Sequence, residues 1–341
     1  MYFQKFHIRK DSESTYKTYT EDIIVPKVSL CIPSYNNADE VRHLLETIYE
    51  QEYTDFEINI SDDSTNDEIA DVVAEYEKKY GAEKLNYIHN QKALGHIFNW
   101  NAAIKMATGE YIKIMFSDDW FTDSKSLGKF VHMLDQNPDV LLAFSGSRQV
   151  MLAGENAANV RHVTQNNVKS SYDRHASDDF ISNLQNDYRN LFLGNQIGTP
   201  SATIYRRDKF LALFDEKSNW ASDMFIYFDL LMACHTFAYT KEPLICVGVH
   251  ENQYTETFSE KDERIYNDYK YMYQKYKLQD SDACREYFTE QYLIKFGKNI
   301  SEAKSLGVSS GLYIKKWINE RKETVRCFVS HRLGISNRQA K

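Results

Sequence analysis

The sequence predicts an α/β fold in which helices flank a mostly parallel sheet, followed by a helical C-terminal extension. Two observations lead to this prediction. Between residues 27 and 125, short apolar segments typical of buried strands alternate with amphipathic segments of helical period. Such alternation at short spacing is typical of a doubly wound parallel sheet. From residue 261 onward the pattern is helical, with charged residues between Tyr, Ile, Leu and Phe.

Strands and helices alternate through the first half of the chain. Each predicted strand is a short apolar or alternating segment that a polar segment ends. Each predicted helix carries apolar residues at the i, i+3 and i+4 spacing, which places them on one face. The predicted strands are 28–32, 56–60, 85–89 and 112–116, and the helices between them contain Leu44, Val72 and Trp100.

The pattern is looser after residue 140. Strands are predicted at 140–144, 201–205 and 238–249, a polar loop at 153–175, and helices at 180–193 and 223–234. We expect three regions in the chain, and a change of pattern marks each boundary. They are an N-terminal extension over 1–26, one α/β domain over 27–258, and a helical C-terminal region with a basic tail over 259–341.

The composition excludes several classes of protein. The 341 residues carry a net charge of −8, which disfavours a general nucleic-acid binder. The five cysteines form no CxxC pair, so neither a disulfide scaffold nor a zinc cage is expected. No apolar run approaches the roughly 20 residues that span a bilayer. Because the first residues also lack the apolar core of a signal peptide, we expect a cytoplasmic protein.

Positive charge is concentrated at the end of the sequence. Residues 315–341 contain eight Lys or Arg and two Glu, a net charge of +6, so the preceding residues carry −14. One interpretation is a peripheral contact of 315–341 with the inner face of the cell membrane, and the other is a solvated helix that covers the core domain. The seven tyrosines between 266 and 292 leave a similar choice between a homodimer interface and a domain cover.

Acidic pairs follow two of the predicted strands. Asp62-Asp63 and Asp118-Asp119 lie at strand ends, and parallel sheets bind ligands at the carboxyl ends of their strands. Each pair alone is also explained by a turn or a helix cap, in which the side chains bond nearby backbone amides. Adjacent carboxylates repel each other unless positive charge lies beside them. Asp118-Asp119 is therefore also a candidate site for a divalent cation.

Three further features have both a structural and a functional interpretation. Asp178-Asp179 precedes a helical pattern and is interpreted as helix capping. Asp223 begins a predicted helix, where a carboxylate either meets the positive end of the helix dipole or serves as a general base. His250 closes a predicted strand and is either a packing residue or a ligand.

Five short segments in a fixed order give a more specific signal than any one of them alone. They are IPSYN at 32–36, SDDST at 61–65, NAAI at 101–104, TGEYI at 108–112 and SDDW at 117–120. In this order and spacing they resemble the family-two inverting glycosyltransferases, which have the Rossmann-like GT-A nucleotide-sugar-binding fold. The resemblance is dense over 27–125 and thinner over 195–255.

The resemblance implies a nucleotide-sugar donor, usually a UDP-sugar. The proline–aromatic turn after the first strand would line the base pocket, and Asp63 would accept a hydrogen bond from the base. A loop and a helix further along the chain would approach the nucleotide. The residues that match this site are Pro33, Ser34, Tyr35, Asn36, Asp63, Gly95, Asn101 and Asp118.

The resemblance also implies a divalent cation, Mn²⁺ or Mg²⁺, held by an Asp-x-Asp motif. Here the first position of that motif is Phe116, which leaves Asp118 for the ribose or the metal and Asp119 for the metal. His250 matches a histidine that joins the metal shell in many members. Asp223 matches the catalytic base, although the residue before it is Ser222 where members often carry an acid.

We therefore expect an inverting glycosyltransferase that moves a sugar to a glycan or a lipid-linked glycan in bacterial surface polysaccharide assembly. In one displacement, the cation would stabilise the departing diphosphate and Asp223 would take the proton of the acceptor hydroxyl. Two alternatives stay open: a sugar nucleotidyltransferase, and a non-catalytic sugar-nucleotide-binding scaffold. The first would be expected to carry a Gly-rich basic loop after its first strand, where this chain has PSYNN at 33–37.

Overall fold

The computed structural model describes residues 4–10, 16–22, 25–152, 168–207, 211–249 and 258–332, with side chains from residue 25 to residue 322. The strands are β1 Gln4–Lys10, β2 Tyr16–Asp22, β3 Val28–Ser34, β4 Phe56–Asp62, β5 Leu85–His89, β6 Tyr111–Ile114, β7 Asp119–Phe121, β8 Leu142–Leu152, β9 Val168–Arg174, β10 Thr203–Arg206 and β11 Phe237–Val249. The α-helices are α1 Ala38–Tyr49, α2 Glu68–Tyr80, α3 His96–Lys105, α4 Ser126–Asp135, α5 Asp178–Asn186, α6 Ser222–Cys234, α7 Glu263–Lys275, α8 Asp282–Phe288, α9 Ile300–Ser305 and α10 Ser310–Arg332.

One large sheet has the strand order β5-β4-β3-β6-β10-β8-β11-β7, and β9 pairs with β8. Strand β3 runs parallel to both β4 and β6, β4 runs parallel to β5, and β8 runs parallel to β11. Strands β7, β9 and β10 pair antiparallel to their neighbours. The predicted α/β class, a mostly parallel sheet flanked by helices, is confirmed. Strands β1 and β2 form a separate antiparallel hairpin within the predicted N-terminal extension.

The central strands carry an apolar run in β3 and alternating apolar residues in β4. All seven residues of β3 and all seven of β4 are buried, as expected for parallel strands covered on both faces. Helix α1 buries one apolar face, and its Leu44 and Ile48 are each 0% exposed. Burying one such side chain stabilises the fold by about 1.5–3 kcal/mol. Helix α2 ends at Tyr80, and the φ of 88° at the following Gly81 favours glycine.

The chain divides into two compact units. The first comprises Met1–Ala176, Ile197–Phe214 and Thr236–His250 and contains the large sheet. The second comprises Ser177–Gln196, Asp215–His235 and Glu251–Lys341 and contains helices α5 to α10. The units interleave along the chain, and the predicted regions 1–26, 27–258 and 259–341 stay a prediction.

Two local predictions were wrong. Residues 168–174, expected in a polar loop, form strand β9, whose residues are all exposed and therefore leave no apolar pattern. The helix predicted over 180–193 is interrupted because Asp187 has extended backbone (φ −155°, ψ 111°). Its carboxylate accepts a hydrogen bond from the backbone of Arg189 at 3.0 Å and so begins a short 3-10 helix, Tyr188–Leu193.

The second unit has an aromatic core. Phe192 contacts several rings from the C-terminal helices, and Tyr273 stacks on Phe288 with ring centroids 4.2 Å apart. Tyr266 and Tyr273 are at most 2% exposed, so these rings are buried within the unit itself. Their burial requires no second copy of the chain, and the homodimer stays a prediction.

Candidate active site

Parallel α/β sheets bind ligands in the crevice outside the carboxyl ends of their strands, and in the first unit this is where β3 and β4 end. These parallel strands pair with Ser34 opposite Asp62, so the residues that follow each strand are neighbours. The carbonyl of Ser34 accepts hydrogen bonds from the backbone of Asp63 and from the side chain of Asn99, both at 3.0 Å. The turn after β3, the end of β4 and helix α3 are thereby held together.

Asp63 is a buried carboxylate that fixes the loop before α3. Its Oδ1 accepts a hydrogen bond from Asn90 at 2.8 Å, and its Oδ2 accepts from the backbone N–H groups of Leu94 at 2.9 Å and Gly95 at 2.8 Å. Gly95 has a φ of 88° and caps α3, which explains a glycine at this position. A carboxylate offers about four acceptor positions. Three are used, and Oδ1 retains capacity for one more donor.

Asp62, the neighbour of Asp63, has a structural role. It is fully buried, and its Oδ1 accepts a hydrogen bond from the backbone of Ser64 at 2.8 Å. Its Oδ2 accepts from the hydroxyl of Tyr87 at 2.8 Å and lies 3.3 Å from Nδ1 of His89. The turn interpretation of the acidic pair therefore suits Asp62, and the helix-cap interpretation is wrong because α2 begins at Glu68 with Asp67 as its N-cap. Asp63 instead fixes the loop before α3.

The turn after β3 leaves one aromatic ring in solvent. Asn36 adopts a φ of 51°, donates from its backbone to Ser64 Oγ at 2.8 Å and accepts from Thr65 at 2.9 Å. Tyr35 is 56% exposed beside this fixed backbone, so a face of its ring is available to a ligand. Pro33 is buried near the end of β3, two residues before Tyr35.

Asn101 does not face the crevice. It is 1% exposed, and its amide donates to the carbonyl of Phe214 at 2.9 Å and accepts from the N–H of the same residue at 2.8 Å. We correct its predicted role from a nucleotide contact to a positioning residue for the segment at 214. Asn90 and Asn99 link Asp63 to Ser34 instead, with 3.3 Å between their side chains. Asn90 directly follows β5, so the strand-end rule could have found it.

Asp118 and Asp119 follow β6 in the same unit. Asp119 is 3% exposed and its Oδ2 accepts a hydrogen bond from Thr199 at 3.3 Å, whereas Asp118 is half-buried. Burial, together with the charge of Asp118, raises the pKa of the Asp119 carboxyl well above its usual value, and hydrogen bonds from Ser201 and Thr199 oppose this rise. These surroundings therefore disfavour ionisation of the Asp119 carboxyl unless a positive charge lies beside it.

Lys113 is a buried cation whose charge acts on Asp119, and sequence analysis did not identify it. Lys113 is fully buried on β6, donates to the carbonyl of Ser201 and lies 4.5 Å from the ring centre of Phe130. Burial lowers the pKa of its ammonium well below the usual value, and the charge of Asp119 opposes this shift. A lysine inside an otherwise apolar strand is a signal that could have indicated a buried acidic partner.

Phe116 occupies the position at which the motif would begin with an acid. Its ring packs against Trp100 at 4.9 Å and lies 6.5 Å from Phe214, and its backbone N–H donates to Ser201 Oγ at 3.0 Å. An aromatic cluster thus stands where a third carboxylate would lie. The acidic residues of this motif are therefore Asp118 and Asp119.

The carboxylate oxygens of Asp118 and Asp119 fit a divalent cation that also binds a substrate. Mg²⁺ in such sites is held by one or two carboxylates together with substrate phosphates and water. In the described part of the chain, no three His, Cys, Asp or Glu side chains form a cluster that could enclose a metal. His250, the other predicted metal ligand, lies outside the described residues. Two adjacent carboxyl groups, one of which ionises readily only beside a positive charge, suit Mn²⁺ or Mg²⁺ bound with a diphosphate.

Asp223 lies in the first turn of α6, in the second unit. Its Oδ2 accepts a hydrogen bond from Asn195 at 2.8 Å, and its Oδ1 accepts from the backbone of Met224 at 2.8 Å. The side chain is half-buried and the helix dipole favours its ionised form. Asp223 is therefore an oriented carboxylate at a half-buried position. Asp178 and Asp179, interpreted from the sequence as helix capping, lie in the first turn of α5, and the side chain that caps this helix is that of Ser177.

Asp268 on α7 holds the backbone that leads into α6, a role that sequence analysis missed. It is 1% exposed and accepts hydrogen bonds from three consecutive backbone N–H groups, those of Asn219 at 2.9 Å, Trp220 at 2.6 Å and Ala221 at 3.0 Å. Helix α6 begins at the next residue, so Asp268 positions the helix that carries Asp223. Its signal in the sequence is a charge on the apolar, tyrosine-rich face of α7.

An α/β sheet with an aromatic turn and acidic side chains at the carboxyl ends of its strands defines the class of GT-A glycosyltransferases. The chain belongs to glycosyl transferase family 2, whose sequence model matches residues 29–214. The predicted family and the predicted fold are both confirmed.

Comparison with solved structures supports the fold. Residues 1–349 of TarS from S. aureus, in complex with UDP-GlcNAc, match with a TM-score of 0.54 and 18% identity over 86% of this chain and 79% of that one. The mannosyltransferase PcManGT from Pyrobaculum calidifontis, in complex with GDP-Man and Mn²⁺, matches with a TM-score of 0.51 and 14% identity over 86% of this chain and 84% of that one.

Curated relatives match only part of their length. The Escherichia coli UDP-Glc:alpha-D-GlcNAc-diphosphoundecaprenol beta-1,3-glucosyltransferase WfaP is 31% identical over 108 residues, which cover 32% of this chain and 41% of that protein. Among the first relatives the chain spans between 28% and 44% of their length.

Proposed function

We propose that this chain is an inverting glycosyltransferase that moves a sugar from a nucleotide-diphospho-sugar, specifically a UDP-sugar, to an acceptor hydroxyl in bacterial surface polysaccharide assembly. The observation that carries the proposal is the crevice of the first unit, where the turn at Tyr35, Asp63 and Asp118-Asp119 follow neighbouring strands. The bound UDP-GlcNAc of TarS and the UDP-Glc in the name of WfaP support the choice of donor.

The nucleoside would bind between the Tyr35 ring and Asp63. An exposed aromatic ring offers a face for a base, and the remaining acceptor position on Asp63 Oδ1 suits the N3–H of uracil. Asn90, Leu94 and Gly95 hold that carboxylate in place before a ligand arrives. In this proposal the Asp63 carboxylate, already fixed in position, recognises the base.

Asp118 and Asp119 would hold the divalent cation beside the diphosphate. When bound, such a cation supplies stabilisation of the negative charge on the departing group. Thr199 and Ser201 keep the Asp119 carboxylate oriented, and Asp118 is the more exposed of the two. The metal ligand set proposed within the described residues is therefore this pair.

Asp223 would act as the general base. The bond between the acceptor oxygen and the anomeric carbon forms while the bond from that carbon to the diphosphate oxygen breaks, and the hydroxyl proton passes to Asp223. Asn195 and the N–H of Met224 orient the carboxylate. Base assistance of this kind contributes about 10²–10⁴-fold to the rate. One displacement without a covalent intermediate inverts the anomeric centre.

The proposed donor and cation are tested together by thermal-shift and calorimetric titration of the full chain with UDP-, GDP- and dTDP-sugars, with Mn²⁺ and with chelator. We expect a UDP-sugar to raise the unfolding midpoint in Mn²⁺, by about 2.7 kcal/mol of stability at 100 times its Kd. Chelator is expected to remove most of that stabilisation. Binding that never leads to UDP release with any acceptor would favour the scaffold alternative, and no binding of any nucleotide sugar would contradict both.

We also propose that α10 brings the protein to an anionic membrane that carries a lipid-linked acceptor. Ile314, Trp317 and Ile318 lie on one face of α10 and are 47%, 38% and 40% exposed. Lys316 on another face pairs with Glu286 and Glu290 within the second unit. The net charge of +6 over 315–341 suits anionic headgroups. No described helix is both long and apolar enough to span a bilayer, so the proposed contact is peripheral.

Substituting Trp317→Ala together with Ile318→Ser is expected to weaken binding to vesicles of phosphatidylcholine and phosphatidylglycerol by roughly tenfold or more, because the apolar contact area is lost. Flotation measures the bound fraction. Tyr172→Ala removes a ring that is 57% exposed on β9 and serves as the matched control. Unchanged flotation after deletion of 315–341 would rule out the membrane contact.

A further inference from the structure

The second unit contains an open cavity of about 580 Å³ that has no role in the chemistry proposed above. Helices α5, α6 and α7 all end at its rim, at Asn186, Cys234 and Lys275. Its walls include Tyr188 and Arg189 from the 3-10 helix after α5, and Met232 from α6. A volume of this size is typical of small-ligand sites.

Two residues in the cavity wall have a backbone conformation that favours glycine. His235 follows α6 with a φ of 61°, and Lys277 follows α7 with a φ of 50°. Among the described residues, the only other non-glycine with positive φ is Asn36, which lies in the turn of the proposed donor site. Glycine is the usual residue at this helix-ending position. Glycine at either position would therefore suit the backbone, so such a substitution removes the side chain without backbone strain.

The polar groups around the cavity are fixed and nearly balanced in charge. Arg189 Nε donates to both carboxylate oxygens of Asp187 at 2.9 Å. Lys275 donates to Asp215 at 3.0 Å, and the hydroxyl of Tyr276 donates to Asp229 at 2.7 Å. Paired cations attract a free anion weakly but still offer N–H donors, so the cavity presents oriented hydrogen-bonding groups more than net charge.

Aromatic and helix-terminal groups complete this chemistry. The rings of Tyr188 and His235 lie 5.2 Å apart and form one wall. The C-termini of three helices lie at the rim, and the negative ends of their dipoles disfavour anions. A ligand with many hydroxyls, an apolar C–H face and no charge satisfies each of these features.

We infer that this cavity binds a neutral sugar residue of the acceptor glycan; that ligand class rests on the proposed glycosyl transfer. His235 lies twelve residues after Asp223, about 18 Å along α6 at 1.5 Å per residue. A sugar in the cavity would therefore be several units away from the hydroxyl that reacts. The cavity gives the enzyme a remote subsite that favours long acceptors over short ones.

The test is saturation-transfer NMR and calorimetry on the full chain with neutral hexasaccharides of glucose, galactose, mannose and N-acetylglucosamine, and with hexagalacturonate as the anionic probe. We expect at least one neutral hexasaccharide to bind with a Kd near or below about 1 mM. Lys277→Gly should weaken that binding at least fivefold while leaving the unfolding midpoint unchanged or higher, because glycine suits the positive φ. Tyr188→Leu should weaken it similarly, and Lys261→Gly, an exposed lysine outside the cavity wall, should not.

The possible outcomes separate this inference from the proposed function. Absence of binding by every neutral probe, binding that Lys277→Gly and Tyr188→Leu leave intact, or preference for hexagalacturonate would each overturn the inference. Nucleotide-sugar binding and UDP release are measured in parallel on the same variants. If those fail in the unmodified chain while a hexasaccharide still binds at the cavity, the proposed function falls and the sugar site stands.

Discussion

Replacing Asp223 by Asn is expected to lower glycosyl transfer by about 10²–10⁴-fold while nucleotide-sugar binding stays unchanged. The substitution keeps the size of the side chain and its acceptor oxygen toward the N–H of Met224, and the Asn195 amide can turn to meet the new NH₂ group. What disappears is the capacity to take a proton from the acceptor hydroxyl. The rate of UDP release with acceptor, and calorimetric titration of the donor, measure the two effects separately.

A matched control exists in the same unit. Asp179 also lies in the first turn of a helix, α5, and Asp179→Asn makes the same chemical change at an exposed position. This variant is expected to retain its full rate. If Asp223→Asn kept more than about a tenth of the activity, another group would have to be the base and the assignment would be abandoned.

Asp268→Ala is expected to destabilise the protein by about 3 kcal/mol or more and to reduce transfer further than the loss of folded protein explains. The carboxylate accepts from the backbone N–H groups of three successive residues, 219–221, and from the Asn219 side chain. Each buried donor left without an acceptor costs about 1–3 kcal/mol. The start of α6, and with it the direction of Asp223, loses its support.

Thermal unfolding and the rate per folded molecule are the measurements for Asp268. Asp268→Asn retains one acceptor oxygen and should lie between the Ala variant and the unmodified chain in both. Asp262→Ala, at the N-cap of the same helix, removes hydrogen bonds that the carboxylate accepts from Arg264 and is expected to have a smaller effect. Full activity per folded Asp268→Ala molecule would show that Asp268 stabilises the fold but does not position Asp223.

Local periodicity was sufficient to predict the parallel half of the sheet and its helices. The apolar run of β3 and the alternation of Phe56, Ile58 and Ile60 in β4 identify these strands, and strand ends then indicated Asp63 and Asp118-Asp119. Strand β9 escaped prediction because all of its side chains are exposed, and the antiparallel insertion of β10 between β6 and β8 depends on pairings that no local pattern encodes.

Side-chain roles that depend on distant partners were harder to predict. Asn101 and Asn99 are two residues apart on α3, yet the first bonds the backbone of Phe214 and the second bonds that of Ser34. Asp268 serves residues nearly fifty positions earlier in the chain. A sequence identifies such residues as polar groups at buried positions, but the partner that each must satisfy emerges only from the tertiary fold.

The three hydrogen bonds that Asp63 receives from Asn90, Leu94 and Gly95 have a consequence for nucleotide choice. A carboxylate immobilised in this way cannot rotate to suit an incoming heterocycle, so the heterocycle must present a proton where the oxygen already points. Uracil carries hydrogen on N3, whereas cytosine has a lone pair there. In the proposed role of Asp63, N3 of cytosine would repel the carboxylate oxygen. Cytidine-linked sugars would therefore bind weakly, whatever sugar they carry.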